Sequence, residues 1–203
     1  MDGNTTDRLS QKDNCRKEKI GSLLDEASTI ARRVLDSIQT LTGTTACKGV
    51  QIARLKEWAQ SNNLWIEDAR TLGTFSDRGS ENEVYLSLES NRVNKLNDFR
   101  YSDDNLMPFF ERIRIHNRLF EDCPYVMIGM AENQSGKPCA VLTQPYILAE
   151  REATEEEITE ELLRLGFHPE MEGEYFSNGY FDTYRSLSPN YSPKTFGNLN
   201  ENP

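Results

Sequence analysis

Two short stretches in which apolar and polar residues alternate constrain the fold of this chain more than any other feature. Val84, Leu86 and Leu88 alternate with Tyr85 and Ser87, which is typical of a strand that buries one face. A tight turn at residues 90–91 is followed by a second short strand at residues 92–96. The sequence therefore predicts a β-hairpin.

The hairpin is surrounded by other elements whose order predicts an α+β protein. Apolar residues at helical or strand spacing predict helices at 17–41, 47–61, 106–120 and from 155, and further strands at 125–130 and 139–148. Pro108 is tolerated in the first turn of the third helix, whereas Pro145 interrupts the last strand. Thr154 and Glu157 form a capping box at the start of the fourth helix.

The same patterns predict four regions along the chain. Residues 1–16 are polar and are expected to form a disordered tail. Residues 17–63 form a helical N-terminal extension, and residues 64–188 form the main domain. Residues 189–203 contain a single aliphatic residue, Leu199, and are expected to be a flexible tail.

Composition limits the classes of partner. The formal net charge is −10, and an acidic surface is repelled by phosphate backbones and anionic lipid, so we expect neither nucleic acid nor a membrane as partner. No stretch approaches the roughly 20 apolar residues of a membrane span. The four cysteines are scattered and only two histidines are present. The sequence therefore predicts no metal site and favours a cytoplasmic protein with free thiols.

Three features that could carry chemistry follow one another along the chain. A lysine, Lys95, lies at the centre of the second hairpin strand, and a carboxylate, Glu111, lies on the helix that follows. Lysine can bind phosphate as a point charge, and a carboxylate can hold the lysine in place. A small residue before the hairpin lets backbone N–H groups approach phosphate oxygens. That stretch consists of Gly79, Ser80, Glu81 and Asn82.

Each of these features also has a simpler interpretation. Most glycine–serine turns bind no ligand, and Lys95 can extend to solvent along its aliphatic stem. Glu111 can lie on a solvated face of its helix. The ordered set favours a phosphate site more than any one feature does.

The segments around these residues also carry a family resemblance. They read GSENEVYLS at 79–87, VNKLN at 93–97, FRYSDDNL at 99–106, FERI at 110–113, IHN at 115–117, VLTQPY at 141–146 and ATEEEI at 153–158. In order and spacing they resemble the kinase-like domain of polyvalent proteins from bacterial mobile elements of the Bacteroides type. The likeness covers about residues 55–184.

The resemblance implies a protein-kinase-like N-lobe, in which a helix packs on an antiparallel sheet. A reduced C-lobe would follow this lobe. The two N-terminal helices predicted from periodicity could form an α-helical hairpin in front of the lobe or could only cover its sheet, and we favour the second. Residues 79–82 would form the phosphate loop, and Lys95 would bind phosphate and pair with Glu111. Gln144 and Tyr146 would lie in the connection between the lobes, whose backbone would meet adenine. ATP and Mg²⁺ are the ligands that the resemblance implies.

The segment that follows departs from the family. Such kinases use an aspartate that accepts the hydroxyl proton, an asparagine soon after it, and a further aspartate that holds the metal. Residues 185–192 read RSLSPNYS, and aligning Pro189 places Ser186 where the first aspartate belongs. Asn190 is then the candidate asparagine. Asp182 is the nearby acid that could act as a displaced base, although we favour a strand-end role for it.

Three hypotheses follow. The first is a kinase-like nucleotide-binding protein with impaired catalysis, a pseudokinase or a truncated kinase remnant of a mobile element. Residues 197–199 resemble the turn before the metal-binding aspartate, but no aspartate follows them. The second is an active ATP-dependent phosphotransferase that uses a displaced acid. The third is an interaction module without ligand, in which Lys95 and Glu111 form only a structural ion pair.

Overall fold

The chain divides into two compact units. The computed structural model describes residues 4–80, 82–148, 151, 153–170, 175–178 and 182–184, with side chains described from residue 23 to residue 178 within those ranges. The first unit comprises Met1–Ile113 and Glu121–Tyr146, and the second comprises Arg114–Phe120 and Ile147–Pro203.

The first unit combines helices with a six-stranded sheet. Its elements, in chain order, are α1 (Asn4–Thr42), α2 (Lys48–Ser61), β1 (Trp65–Ile66), β2 (Thr74–Arg78), β3 (Asn82–Ser87), β4 (Arg92–Asn97), α3 (Met107–Leu119, of which the part up to Ile113 belongs here), β5 (Val126–Glu132) and β6 (Pro138–Pro145). The strand order is β1-β5-β6-β4-β3-β2. The β1–β5 pair is parallel, and the other pairs are antiparallel. The expected α+β fold, with a helical pair before an antiparallel sheet, is confirmed.

The predicted hairpin is present as β3 and β4. Leu86 pairs with Val93, and Val84 pairs with Lys95. The turn between the strands includes Asn91, which adopts a positive φ of 50°, a conformation that asparagine tolerates better than most residues. The apolar alternation thus predicted the first strand, and the residues at 90–91 predicted the turn.

The two faces of the sheet bury two different apolar clusters. In β6, Ala140 and Leu142 pack in one cluster, whereas Cys139 and Val141 pack in the other, because successive strand residues point to opposite faces. The first cluster, on what we call the helical face, also contains residues of the three helices: Leu24, Ala27 and Ala31 of α1, Leu55 and Ala59 of α2, and Phe109, Phe110 and Ile113 of α3. The second cluster lies against the 3₁₀ turn Ala69–Leu72.

The starts of α3 and α1 differ in how well the local sequence predicts them. α3 begins where Asn105 Oδ1 accepts a hydrogen bond from the N–H of Met107 at 3.0 Å, which satisfies one of the unpaired donors of a helix N-terminus. α1 begins at Asn4, well before the start near Lys17 that periodicity predicts. Residues 4–16 lack an apolar stripe, so that method has no signal there.

The second unit contains α4 (Glu155–Arg164) and a small antiparallel sheet of β7 (His168–Glu170), β8 (Tyr175–Ser177) and β9 (Asp182–Tyr184), in that order. Its buried cluster consists of Leu162, Phe167 and Phe176. The predicted capping box of Thr154 and Glu157 is present. Among the described residues of either unit, no helix is both long enough and apolar enough to cross a bilayer.

Candidate functional site

Lys95 lies at the centre of β4, on the helical face. Its register partners are Val84 in β3 and Leu142 in β6, and residues directly opposite each other in an antiparallel pair share a face. Leu142 packs in the same cluster as Phe110 of α3. Lys95 and the helix that carries Glu111 are therefore on the same side of the sheet.

The ammonium group of Lys95 contacts Tyr125, a residue that sequence analysis missed. Lys95 Nζ donates a hydrogen bond to Tyr125 Oη at 2.8 Å and lies 5.0 Å from the centroid of the ring. Both contacts compensate for the partial burial of the charge. Glu111 has an exposed side chain, and its pairing with Lys95 stays a prediction.

The predicted phosphate loop is the tight turn between β2 and β3. The N–H of Gly79 donates to the carbonyl of Asn82 at 2.8 Å, which closes the turn. The side chain of Ser80 is exposed, and Glu81 lies outside the described residues. Asn82 Oδ1 accepts a hydrogen bond from Asn97 Nδ2 at 3.1 Å. One residue that was predicted to bind nucleotide therefore helps to hold the turn against β4.

The buried carboxylate of Glu83 stabilises this turn from the other face of the sheet. Glu83, whose side chain is only 4% exposed, accepts hydrogen bonds from Arg78 Nη2 at 2.5 Å and from the N–H of Gln134 at 3.2 Å. The Tyr85 hydroxyl donates to it at 3.4 Å, and burial, followed by this carboxylate, raises the pKa of Tyr85. Because a buried charge is tolerated only when it is paired, Glu83 joins the base of the β2–β3 turn to the β5–β6 turn.

Gln144 and Tyr146, predicted to lie near adenine, have different environments. Gln144 pairs with Val93 in the sheet, so its side chain points to the helical face, where Nε2 lies 3.6 Å from Cys123 Sγ. The N–H of Tyr146 donates to the carbonyl of Asn91 at 3.0 Å. That N–H is thus used within the protein.

Three aliphatic side chains lie beside Lys95 on the helical face. Val84, Leu86 and Val93 are half-buried and belong to neither buried cluster of the first unit. We call these three residues and Lys95 the lysine strip. It runs from the Asn82–Asn97 pair at the β2–β3 turn, past Lys95, to Val93 and its neighbour Gln144.

Comparison with known families identifies the family of this chain. The model of a family described as "Serine/Threonine/Tyrosine Kinase found in polyvalent proteins" (Kinase-PolyVal) matches residues 48–180. The chain belongs to this family. No curated protein and no solved structure matches it. The resemblance inferred from the short motifs is thereby confirmed.

The match covers the proposed nucleotide residues of the Kinase-PolyVal domain but ends before the catalytic candidates. Asp182 begins β9, and its side chain is not described. Asn190 lies outside the described residues. In the part of the chain that the structure describes, no three histidine, cysteine, aspartate or glutamate residues cluster in a way that could hold a metal.

The Kinase-PolyVal chain also has an apolar groove away from these residues. It lies between α1 and α2, has a volume of about 560 Å³, and is lined by Ile30, Val34, Ile38, Val50 and Trp58 together with charged and polar side chains. None of the residues predicted to bind nucleotide lines it. The chemistry of the lysine strip, more than the size of the groove, marks the strip as the candidate site.

Proposed function

We propose that this Kinase-PolyVal chain binds a nucleoside triphosphate along the lysine strip and is impaired in phosphoryl transfer. The observation that carries the proposal is the position of Lys95, whose half-buried cation lies between the β2–β3 turn and an aliphatic surface. A phosphate chain would lie between that turn and the ammonium group, and a base would lie on the aliphatic side chains.

Impairment is proposed from the residues that should supply the chemistry. Ser186 stands where the family pattern needs an aspartate, and a serine cannot accept the proton of an attacking hydroxyl in the way a carboxylate does. Lys95 and the β2–β3 turn suit the phosphates of ATP. Bound Mg²⁺ would neutralise charge on those phosphates.

The first test is the change in melting temperature on adding Mg²⁺-ATP. At about 100 times its dissociation constant, a ligand stabilises the folded state by about 2.7 kcal/mol, which for a domain of this size is about 5–10 °C. We expect that shift in the wild type and its loss in Lys95→Ala. Lys137→Ala, which removes an exposed lysine outside the strip, should keep it. No shift in the wild type at millimolar nucleotide would refute nucleotide binding.

A turnover assay separates the proposal from the phosphotransferase alternative. We expect no hydrolysis of ATP and no transfer of its terminal phosphate above background. Turnover that disappears in Asp182→Asn would instead support a displaced base.

The contact between Lys95 and Tyr125 favours one second candidate. Because Tyr125 already stabilises the cation, Lys95 could serve structure alone in an interaction module. In that case Lys95→Ala would lower the melting temperature of the free protein, and nucleotide would shift neither form.

A further inference from the structure

Gln144 carries a buried acceptor that has no donor. Only 8% of the residue is exposed, and within the described part of the chain its Oε1 accepts no hydrogen bond. Leaving a buried amide oxygen unpaired destabilises the folded state, because the atom has lost its water without gaining a donor. Since nearly all such atoms in folded proteins are paired, an unpaired one indicates a missing partner.

The other end of the same amide is held in place. Nε2 lies 3.6 Å from Cys123 Sγ, and the thiolate or thiol sulfur is a weak acceptor. Burial raises the pKa of Cys123, and the positive charges of Lys95 and Arg92 partly oppose this. With Nε2 engaged, Oε1 is the end of the amide that remains for a ligand; almost none of its surface is exposed, so a bound base must displace neighbouring side chains to reach it.

The register places this acceptor where the base of a nucleotide would lie. Gln144 is directly opposite Val93 and diagonal to Lys95, and diagonal neighbours across an antiparallel pair are about 7–8 Å apart. The β2–β3 turn lies beyond Lys95 in the other direction, at the Asn82–Asn97 pair. A nucleotide with its phosphates between the turn and Lys95 would therefore direct its base towards Val93 and Gln144.

We propose that Gln144 Oε1 accepts a hydrogen bond from an exocyclic amino group of the base, so that the site selects a 6-aminopurine over a 6-oxopurine. This inference rests on the proposed function. The backbone N–H of Tyr146 is bonded to Asn91, so a side chain takes over part of the recognition that was expected from the backbone. An oxo group facing Oε1 would bring two acceptors together and would be rejected.

The test compares three magnesium-bound triphosphates by calorimetric titration: ATP, purine riboside triphosphate, which lacks the 6-amino group, and inosine triphosphate. In the wild type we expect ATP to bind about 10-fold more tightly than purine riboside triphosphate, as one buried hydrogen bond allows, and inosine triphosphate to bind more weakly still. In Gln144→Leu the ratio of ATP to purine riboside triphosphate should fall to about one. Gln60→Leu, at an exposed position of α2, should keep the wild-type ratio.

A second readout confirms that Gln144→Leu remains folded. Replacing a buried amide whose oxygen is unpaired and whose nitrogen has only a weak sulfur acceptor with an apolar side chain of similar size should leave the melting temperature of the free protein unchanged or raise it. Equal binding of ATP and purine riboside triphosphate by the wild type would overturn the role of Gln144 and leave the nucleotide site standing. Tighter binding of inosine triphosphate would overturn it as well. A wild type that binds none of the three would refute the nucleotide site itself.

Discussion

Three glycines that look alike in the sequence have different roles in the structure. Gly129 has a φ of 154°, and a Cβ added to it would lie 2.2 Å from the carbonyl oxygen of Leu64. Gly73 has a φ of 130° and is similarly close to Leu86. A Cβ at Gly79 would lie 3.8 Å from the nearest atom, an ordinary contact. The first two glycines allow backbones to approach closely, whereas the fold does not require the third.

We therefore expect Gly129→Ala and Gly79→Ala to differ in their effect on the free energy of unfolding. Gly129→Ala should lower it by at least about 2 kcal/mol, because the backbone must shift away from Leu64. Gly79→Ala should change it by less than about 0.5 kcal/mol. Urea denaturation of the two variants and the wild type measures both values.

The same two variants also test whether the β2–β3 turn binds phosphate. If backbone N–H groups of that turn approach phosphate, Gly79→Ala should weaken the binding of Mg²⁺-ATP while leaving stability intact. Equal destabilisation by the two substitutions would contradict the close approach of Gly129 to Leu64.

At the scale of elements, the start of α4 is the most complete local motif. Thr154 Oγ1 accepts from the N–H of Glu157 at 3.2 Å, and the Glu157 carboxylate accepts from the N–H of Thr154 at 2.8 Å. Arg151 donates to the same carboxylate through both Nη atoms. The hydrogen bond from Arg151, followed by that from the Thr154 backbone, lowers the pKa of Glu157 from 4.5 to about 2.

This pKa predicts a dependence of stability on pH. Because the pKa is lower in the folded state, the ionised Glu157 stabilises the fold above pH 4.5, and that contribution is lost as the pH falls towards about 2. The difference in melting temperature between the wild type and Glu157→Gln should therefore shrink over this range. Glu156→Gln, in the same helical turn, serves as the matched control. A carboxyl resonance of Glu157 that titrates near pH 4.5 in the folded protein would contradict the motif.

The elements that sequence predicted are those whose signal is local. The Thr154–Glu157 capping box spans one helical turn, and the β3–β4 hairpin shows its alternation within a few residues. β2 was missed because every residue of Thr74–Arg78 is exposed, so it has no alternation. β1 is a two-residue strand whose parallel pairing with β5 depends on the close approach at Gly129, which lies far along the chain.

The same distinction applies to the candidate site. Alternation was enough to predict the β3–β4 hairpin that carries Lys95. Its contact with Tyr125, and the position of the Gln144 side chain beside Val93, depend on how β4, β5 and β6 pair. No local pattern encodes that register. The family resemblance implied that the backbone near Gln144 would meet adenine, whereas the structure shows a buried, unpaired oxygen on its side chain.

At the scale of the whole molecule, the helical pair shares one core with the sheet of the first unit. A buried glutamine, Gln51 of α2, joins separate segments. Its Nε2 donates to the carbonyl of Ala31 in α1 at 2.8 Å. Its Oε1 accepts from the N–H of Leu106, just before α3, at 2.7 Å. We infer that the helices and the sheet unfold together.

Gln51→Leu should therefore destabilise the first unit as a whole. The substitution leaves the buried N–H of Leu106 without its acceptor, which costs about 1–3 kcal/mol. Urea denaturation followed by the fluorescence of Trp58 in α2 and Trp65 in β1, together with circular dichroism, should show one shared transition at a lower midpoint. The exposed Gln60→Leu should leave the midpoint unchanged. Separate transitions for the two signals would show that the helical pair folds independently.

The two edges of the six-stranded sheet also limit how copies of this protein can associate by strand pairing. One edge is β1, only two residues long. The other is β2, which is fully exposed, irregular in register between Phe75 and Asp77, and charged at Asp77 and Arg78. Long, flat, uncharged edges are the places where foreign strands add and fibrils grow. Aggregation by strand addition is therefore opposed by the short β1 edge and by the irregular, charged β2 edge, in addition to the mutual repulsion of the acidic surfaces.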